Sequence, residues 1–308
     1  MTPKVSIIIP NYNHVNFIQQ RLDSVFNQTV QDFEVILLDD ASSDSSEQVL
    51  LSYKNHPKVS HIIINNVNSG SPFKQWEKGI KLAVGEYIWI AESDDFCELN
   101  FLETCLKNKS DNSQICYVQS VDVDELGDVL KDRISYTKEF NPNIWEDNFS
   151  ILGIQFVEKY LLKKNVIPNA SAVLFKRKLI KPDLFNKELT SMKMCGDWFF
   201  WIKLIYHTDI TFINKKLNYF RNHSEVSRNH YDLHKQKQRV LEEVVIREFL
   251  FKNHKLEDKT SVKKMQKKWF NAHKKNEFLD KSFYKISEGF LSKASLFYNF
   301  VVFKIKSL

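Results

Sequence analysis

One stretch of this sequence indicates both a fold and a chemistry: Gly85-Glu86-Tyr87-Ile88-Trp89-Ile90-Ala91-Glu92-Ser93-Asp94-Asp95-Phe96. It reads as a turn, then a short buried strand, then three carboxylates where the strand ends. Anionic side chains beside an apolar strand end are costly unless a cation or strong hydrogen-bond donors meet them. A divalent metal held by oxygen ligands, with phosphate as its other partner, is therefore the first hypothesis. The ordinary alternative is a solvated acidic turn.

The residues before that stretch alternate between strand and helix patterns. Apolar runs at 5–9, 35–38 and 62–64 are followed by residues at helical spacing, and a fourth run leads to Glu92. Continuous apolar strands that alternate with helices predict an α/β fold, a mostly parallel sheet with helices on both faces. Because ligands of such sheets bind beyond the carboxyl ends of the strands, three polar clusters are expected to converge on one edge. These clusters are Pro10-Asn11, Asp39-Asp40 and Glu92–Asp95.

Composition and the spacing of cysteines and apolar residues disfavour a disulfide-rich, a zinc-binding or a membrane-spanning protein. With 308 residues, 43% hydrophobic and 13% aromatic, the chain can build a core of one large domain with or without an appendage. The four cysteines show no Cys-x-x-Cys spacing, which favours buried reduced thiols over disulfides or zinc. We recognise no signal peptide before the first predicted strand, and no apolar run reaches the ~18 residues of a membrane span. We therefore expect a cytoplasmic protein.

Charge is distributed unevenly along the chain. Residues 232–308 contain 18 lysines and arginines against 9 acidic residues, and the remainder contains 26 against 29. This predicts a mildly acidic body and a basic, amphipathic helical region over 231–308 with a different role. Bulky apolar residues among the lysines of 285–308 predict contact with an anionic membrane surface, and the alternative is packing on the body or a second subunit. Nucleic acid is not an expected partner, because the basic helices carry no recognisable reader motif.

Four motifs carry a resemblance to a known family: Ile9-Pro10-Asn11-Tyr12-Asn13, Leu38-Asp39-Asp40-Ala41-Ser42-Ser43-Asp44, Asn68-Ser69-Gly70 and the stretch quoted above. In this order, across residues 4–228, the chain resembles the inverting family 2 glycosyltransferases of the GT-A fold. The resemblance implies a Rossmann-like GT-A catalytic domain over 1–230, with a nucleotide-binding half over 1–125 and an acceptor half over 126–230. It also implies transfer of a sugar from a nucleotide diphosphate, usually UDP-linked, to a hydroxyl acceptor.

By the same resemblance, the nucleoside lies against the loops that follow the first two strands. A carboxylate suits a ribose hydroxyl or a base N–H, and an aromatic ring can pack on the base. The predicted contacts are Pro10, Asn11, Tyr12, Asp39 and Asp40. The alternative for the Asp39–Asp44 segment is a polar loop with a helix cap.

The resemblance also implies a divalent metal, Mn²⁺ or Mg²⁺, because hard cations prefer oxygen ligands and can bridge to a diphosphate. Asp94 is the expected ligand, with Asp95 and His223 beside it. Glu92, Ser93 and Asp94 are expected to contact the nucleotide as well. The metal would offset the charge that develops on the leaving nucleoside diphosphate.

Two departures from the family pattern qualify this interpretation. Glu92 stands where the family commonly has Asp, and Lys74-Gln75-Trp76-Glu77 stands where it often has Arg-Asn. Lys74 is left as a phosphate candidate. The departures keep open a non-catalytic scaffold of the same fold that binds a nucleotide sugar without turnover. A sugar nucleotidyltransferase is a further alternative, although Pro10-Asn11-Tyr12-Asn13-His14 replaces the Gly-rich, basic loop of such enzymes.

The second half of the body supplies the acceptor side. In Cys195-Gly196-Asp197-Trp198-Phe199-Phe200-Trp201, Gly and Asp begin an apolar aromatic helix and resemble the family's catalytic-base motif. Asp197 is predicted to deprotonate the attacking hydroxyl, the one base that an inverting displacement needs. The alternative is an ordinary helix N-cap. The small residues that begin Asn169–Phe175 resemble the segment that lines the donor-sugar pocket, where backbone amides approach a ligand closely.

The sequence therefore predicts an inverting, metal-dependent glycosyltransferase of cell-surface polysaccharide assembly. Its acceptor would be a glycan or a lipid-linked glycan, and it would be cytoplasmic or peripheral on the inner face of the cell membrane. The sugar, the acceptor, the linkage and the oligomeric state stay open, because a few hydrogen bonds separate sugars that differ at one carbon.

Overall fold

The computed structural model describes residues 2–167, 169–223, 232–287 and 292–306. The strands of this part of the chain are β1 (Val5–Asn11), β2 (Phe33–Asp39), β3 (Val59–Ile64), β4 (Tyr87–Ile90), β5 (Phe96–Cys97), β6 (Ser113–Val123), β7 (Val129–Asp132), β8 (Phe149–Leu152), β9 (Val173–Lys176) and β10 (Asp209–Arg221). The helices are α1 (Val15–Phe26), α2 (Ser46–Ser52), α3 (Pro72–Leu82), α4 (Phe101–Asn108), α5 (Gly153–Phe156), α6 (Lys187–Ser191), α7 (Gly196–Ile205), α8 (Leu233–His254), α9 (Lys259–Asn271) and α10 (Lys293–Lys306).

All ten strands belong to one sheet, in the order β3-β2-β1-β4-β9-β6-β10-β5, with β7 beside β6 and β8 beside β10. The first four strands are parallel neighbours, and α1 to α3 cross between them as the alternating pattern predicts. β9 then pairs antiparallel with both β4 and β6, whereas β10 is parallel to β6. The predicted α/β class is confirmed, with parallel pairing in the first half and mixed pairing in the second.

The first strand shows why the sheet is covered on both faces. All seven residues of β1 are buried. Ile8 lies in the apolar cluster that contains Phe200 of α7, whereas Ile7 and Ile9 lie in the cluster that contains Leu22 of α1. Alternate side chains of a strand point to opposite faces, so a strand buried on both faces reads as a continuous apolar run.

The basic C-terminal region is helical, and its first helix contributes to the core of the body. Ile246 and Leu250 of α8 lie in the same apolar cluster as Trp198 of α7. Nearer the start of α8, Val240 and Val244 join residues of α9 and α10 in a separate cluster. The domain boundary at 230 stays a prediction, and these contacts favour counting α8 with the body.

The last helix packs through one side. Leu296 and Phe300 of α10 are buried in the cluster that contains Trp269 of α9, whereas Tyr298 and Ile305 are 68% and 63% exposed. Part of the apolar surface predicted for membrane contact is therefore used inside the protein. Residues 288–291 and 307–308 of that predicted segment lie outside the described residues. Within the described ranges, no helix is long and apolar enough to cross a membrane.

Candidate functional site

The carboxyl ends of β1, β2 and β4 border a cavity of about 600 Å³. All three polar clusters that follow these strands reach it, together with the N-terminal parts of α3 and α7 and the loop before β9. The predicted site residues that line this cavity are Pro10, Asn11, Tyr12, Asp40, Glu92, Ser93, Asp94, Asp95, Asp197 and His223.

Asp39 lies behind the cavity wall, where it joins two loops. Its buried carboxylate accepts hydrogen bonds from Asn11 Nδ2 at 2.8 Å, Ser42 N at 2.8 Å and Ser42 Oγ at 2.6 Å. Asn13 and Ala41, on the same loops, adopt positive φ angles of 57° and 59°. Non-glycine residues hold this left-handed conformation only where the surroundings impose it. Asp39 therefore shapes the wall, and its geometry does not favour the predicted nucleotide contact.

Asp40 lines the cavity and also organises the segment after β3. Its carboxylate accepts hydrogen bonds from Asn65 Nδ2 at 2.6 Å, from Ser69 N at 2.9 Å and Oγ at 2.7 Å, and from Gln75 Nε2 at 2.8 Å. Four donors around one buried carboxylate fix its orientation. Gln75, which stands where the family often has Arg-Asn, thus has a clear structural role.

Two further predicted nucleotide contacts differ in their accessibility. Tyr12 is 46% exposed at the cavity wall, so its ring is available to a ligand. Lys74 instead donates from Nζ to the carbonyl oxygen of Ser69 at 2.8 Å and lies outside the wall. Among the residues that the structure describes, the only lysine or arginine in the wall is Lys193. The geometry therefore gives Lys74 a contact within the segment after β3, and its role as a phosphate ligand stays a prediction.

Three side chains form a group whose geometry suits a metal ion: His14, Asp94 and His223. One ligand atom from each lies within 4.8 Å of the others. His223 Nε2 is 3.2 Å from Asp94 Oδ2, and the two imidazole rings meet edge to face with centroids 5.3 Å apart. His14 Nδ1 also contacts Ser93 Oγ at 2.8 Å. Asp94 and His223 are predicted metal contacts, whereas His14, which directly follows the Asn11–Asn13 loop, is not among the predicted residues.

Electrostatics favour an ionised Asp94. Burial alone would raise the pKa of this carboxyl group. The hydrogen bond to His223 and the nearby charges of His14 and His223 outweigh burial and hold that pKa below its ordinary range. A carboxylate that is ionised at neutral pH and flanked by two imidazoles is a ready ligand for a divalent cation.

The contacts of Asp95 favour a structural role over the predicted metal contact. Its side chain is 1% exposed, and it accepts hydrogen bonds from Asn169 Nδ2 and Ser171 Oγ, both at 2.7 Å, and from the backbone N–H of Arg221 at 3.1 Å. Burial and the charge of the neighbouring Asp94 raise its pKa. Because protein donors already occupy both oxygens, this geometry disfavours Asp95 as a direct metal ligand and makes it an anchor for the loop.

Two buried arginines hold the backbone of the carboxylate loop. Arg21 of α1 donates from Nε to the carbonyl oxygen of Glu92 at 2.8 Å, and its guanidinium lies 3.9 Å from the carboxylate of Asp95. Arg221 of β10 donates from Nε to the carbonyl oxygen of Asp94 at 2.8 Å. Both arginines are at most 1% exposed. Neither role is predictable from the sequence, because the contacts join residues about 70 and 130 positions apart.

Glu92 is the least acidic of the three carboxyl groups. Its Oε1 accepts a hydrogen bond from Trp76 Nε1 at 2.8 Å. Burial, followed by the charges of Asp94 and Asp95, raises its pKa to about 8. A carboxyl group of this kind carries its proton near neutral pH and can donate a hydrogen bond. The structure therefore does not favour Glu92 as an anionic ligand, whereas a polar contact to a nucleotide stays a prediction.

Asp197 lies in the first turn of α7, two residues after Cys195, the residue that precedes the helix. Its Oδ2 accepts from Asn165 Nδ2 at 2.8 Å, and its Oδ1 accepts from the backbone N–H of Trp198 at 2.7 Å. It is therefore not the N-cap residue, although it stabilises the first turn. Asp197 lines the same cavity as the His14, Asp94 and His223 group. Asn165 has no recognisable signal in the sequence.

Residues 6–186, more than half of the chain, match the sequence model described as Glycosyl transferase family 2. The chain belongs to this family. The resemblance recognised in the sequence is thereby confirmed, and so is the assignment to a family of transferase enzymes.

Relatives within glycosyl transferase family 2 match different shares of the chain. A poly(ribitol-phosphate) beta-glucosyltransferase of Bacillus spizizenii is 44% identical over 95 residues, which are 30% of this chain and only 15% of that protein. Glycosyltransferase GlyG of Streptococcus pneumoniae is 28% identical over 248 residues, which are 76% of each protein. The first of these matches thus concerns a short segment of a much longer protein.

Two solved structures share the fold. S. aureus TarS 1–349 in complex with UDP-GlcNAc superposes with a TM-score of 0.59 at 19% identity, covering 87% of this chain and 79% of that one. The mannosyltransferase PcManGT from Pyrobaculum calidifontis, in complex with GDP-Man and Mn²⁺, gives a TM-score of 0.53 at 15% identity, covering 99% and 81%. The predicted GT-A fold is confirmed by this likeness.

Proposed function

We propose that this protein is an inverting, metal-dependent glycosyltransferase that moves a sugar from a nucleotide diphosphate, most simply a UDP-sugar, to a hydroxyl acceptor. One observation carries the proposal. A single cavity contains the His14, Asp94 and His223 group and, in its wall, the carboxylate of Asp197. Family membership supports the reaction class, and the two groups supply the two functions that the reaction needs.

The first function is to hold the diphosphate of the donor. Two imidazoles and one carboxylate form a mixed nitrogen and oxygen ligand set, which suits Mn²⁺ better than Mg²⁺ because Mg²⁺ prefers oxygen alone. The Mn²⁺ in the PcManGT complex supports the same choice. A metal bound there would stabilise the negative charge on the leaving nucleoside diphosphate.

The second function is general-base catalysis. Asp197 accepts the proton of the acceptor hydroxyl as the new bond forms between that oxygen and the anomeric carbon, while the bond from that carbon to the phosphate oxygen breaks. Asn165 and the N–H of Trp198 hold the carboxylate in one orientation. Attack from the face opposite the leaving group inverts the anomeric centre.

The nucleoside would lie beside Pro10, Asn11 and Tyr12, with Tyr12 offering an exposed ring for the base. Asp40 and Ser93 line the same cavity and complete the expected nucleotide contacts. UDP is the favoured nucleotide, because TarS, which binds UDP-GlcNAc, superposes with a higher TM-score than PcManGT, which binds GDP-Man. This assignment keeps Asp39 and Lys74 as supports of the wall.

The acceptor is proposed to be a glycan or lipid-linked glycan of cell-surface polysaccharide. The poly(ribitol-phosphate) named for one relative is not itself a glycan, but it supports a polymer that carries hydroxyl groups as the acceptor. The predicted membrane contact of 285–308 is kept as part of the proposal, since Tyr298 and Ile305 of α10 are exposed among lysines. An anionic membrane surface would attract such a helix.

Nucleotide binding tests the donor side. The melting temperature would be measured with UDP, GDP, dTDP and CMP, each with and without Mn²⁺, for the natural protein, Asp94→Asn and Asp132→Asn. Asp132 is a matched control, because its carboxylate pairs with Lys216 at 3.2 Å outside the cavity. At 100 times its dissociation constant, a nucleotide adds about 2.7 kcal/mol to the free energy of unfolding.

We expect a Mn²⁺-dependent shift with UDP in the natural protein and the control, and its loss in Asp94→Asn. No metal-dependent shift with any nucleotide would overturn the proposal. Metal-dependent binding without transfer to any hydroxyl acceptor would favour the non-catalytic scaffold.

A further inference from the structure

The C-terminal region reaches back to the candidate site through one side chain of α8. Glu242 is 4% exposed. Its carboxylate accepts hydrogen bonds from three successive backbone N–H groups, those of Lys193 at 2.9 Å, Met194 at 2.9 Å and Cys195 at 2.8 Å. A fourth hydrogen bond comes from Gln238 Nε2 at 2.9 Å, one turn earlier on α8. No pattern in the sequence connects α8 with a segment that lies about fifty positions earlier.

These three N–H groups lie immediately before α7. The first N–H groups of a helix have no partner within the helix, and a carboxylate placed there also interacts favourably with the helix dipole. Cys195, the residue before the helix, makes no capping hydrogen bond with its own side chain. Of the three, only the N–H of Cys195 belongs to this helix end. Glu242 therefore satisfies that group from another helix and holds the two residues that lead into α7, the helix that carries Asp197.

The held segment forms one side of the cavity. Lys193 and Met194 line the cavity together with Asp197. On its other side, the segment is tied to the start of α3 by Ser71 Oγ, which donates to the carbonyl oxygen of Met192 at 3.1 Å. Three hydrogen bonds to one carboxylate require residues 193–195 to curve around it, so a displaced Glu242 would release this part of the wall.

We propose that Glu242 is a positioning residue for transfer. It holds residues 193–195 so that Lys193, Met194 and the Asp197 carboxylate present one fixed surface to the acceptor. The basic C-terminal region is thereby part of the catalytic apparatus and is more than an appendage. This inference rests on the proposed function, because it assigns the segment to the acceptor side of that reaction.

Glu242→Gln tests the role with little change in size. The amide nitrogen of Gln cannot accept a hydrogen bond, so at least one of the three N–H groups loses its partner. Glu248→Gln is the matched control, since Glu248 lies on the same helix and pairs with Lys252 at 3.0 Å on the surface. The dissociation constant for UDP with Mn²⁺, the kcat and KM for the acceptor, and amide hydrogen exchange at 193–195 would be measured for all three proteins.

We expect Glu242→Gln to lower kcat/KM for the acceptor by about 10- to 100-fold, the usual range for a misplaced catalytic group. The dissociation constant for UDP should change by less than about twofold, and exchange at 193–195 should accelerate. Glu248→Gln should match the natural protein. Faster exchange with normal kcat and KM would reduce Glu242 to a structural cap and overturn the proposal.

Two outcomes need separate treatment. If Glu242→Gln does not fold, Glu242→Asp keeps the charge on a shorter side chain, and the same split between acceptor kinetics and UDP binding is expected; normal kinetics would overturn the proposal. If the natural protein transfers no sugar at all, the proposed function fails. The positioning role rests on that function and is then overturned with it, whereas normal transfer by both the natural protein and Glu242→Gln overturns the positioning role alone.

Discussion

Single residues of the site differ because their neighbours differ. Imidazoles from two separate loops hold the pKa of Asp94 below its ordinary range, whereas burial and like charges raise the pKa of Glu92 and Asp95. Three carboxyl groups within four positions thus divide into one anion, which is the proposed metal ligand, one neutral group and one buried anchor. The environment of each group, and not its residue type, sets its role.

Glu34 offers a titration that is separate from the site. Its carboxylate is 8% exposed and accepts hydrogen bonds from Ser6 Oγ and from the backbone N–H of Val84. Burial acts to raise the pKa of Glu34, but these hydrogen bonds outweigh it, and the pKa lies below 4.5. A carboxyl group with a depressed folded-state pKa stabilises the fold above its unfolded-state pKa, and this contribution is lost as the pH falls through the folded-state pKa.

Glu34→Gln is therefore expected to lower the free energy of unfolding by about 1 kcal/mol at pH 7, the difference between a charged and a neutral acceptor. The effect should shrink below pH 4.5. Urea denaturation at several pH values measures it. Glu77→Gln, which breaks a surface pair with Lys81, is the control and should change stability little. An equal loss at every pH would contradict the assigned cause.

Asp94, His14 and Arg21 show which parts of the site the sequence could predict and which it could not. The place of Asp94 in the cavity wall could be predicted, because Asp94 follows an apolar strand in a recognisable motif. His14 and Arg21 could not, because their roles depend on partners about 70 to 80 positions away that only the folded sheet brings near. Periodicity reports which face of a helix is buried, but it does not report what a buried polar group meets there.

At the scale of elements, α7 lies unusually close to α3. A Cβ atom on Gly196 would lie 2.3 Å from Cε2 of Phe73 and 2.5 Å from its Cζ, both in a buried ring. The absence of a side chain at Gly196 thus permits α7, which carries Asp197, to start against the first turn of α3. The strands and α7 are predictable from apolar runs and helical spacing, whereas this contact and the antiparallel insertion of β9 depend on long-range packing.

Gly196→Ala tests that contact. Ala is normally favoured over Gly in a helix by about 1 kcal/mol, but here we expect a loss of about 1–3 kcal/mol from overpacking. Phe73→Leu should relieve the clash, so the double variant should lose less stability than the sum of the single variants, with a coupling of about 0.5–3 kcal/mol. The free energy of unfolding would be measured for the natural protein, the two single variants and the double variant. Stability losses that add exactly would contradict the close contact.

At the scale of the whole molecule, the body and the basic region share one core. Ile246 and Leu250 of α8 belong to the apolar cluster of the sheet, and Glu242 holds the segment before α7. The uneven charge could predict a distinct region, but it could not predict that its first helix supports the cavity. The distribution of charge reports on exposed residues, whereas the shared core is formed by buried apolar side chains.

Asp197→Asn tests the proposal that one cavity joins a metal-binding donor side to a base on α7. Transfer from a UDP-sugar with Mn²⁺ and the dissociation constant for that donor would be measured for the natural protein, Asp197→Asn and the exposed control Asp183→Asn. We predict that Asp197→Asn keeps its donor affinity and loses about 10²- to 10⁴-fold in kcat, while the control matches the natural protein. A normal kcat in Asp197→Asn would contradict the proposed role of Asp197 as the base.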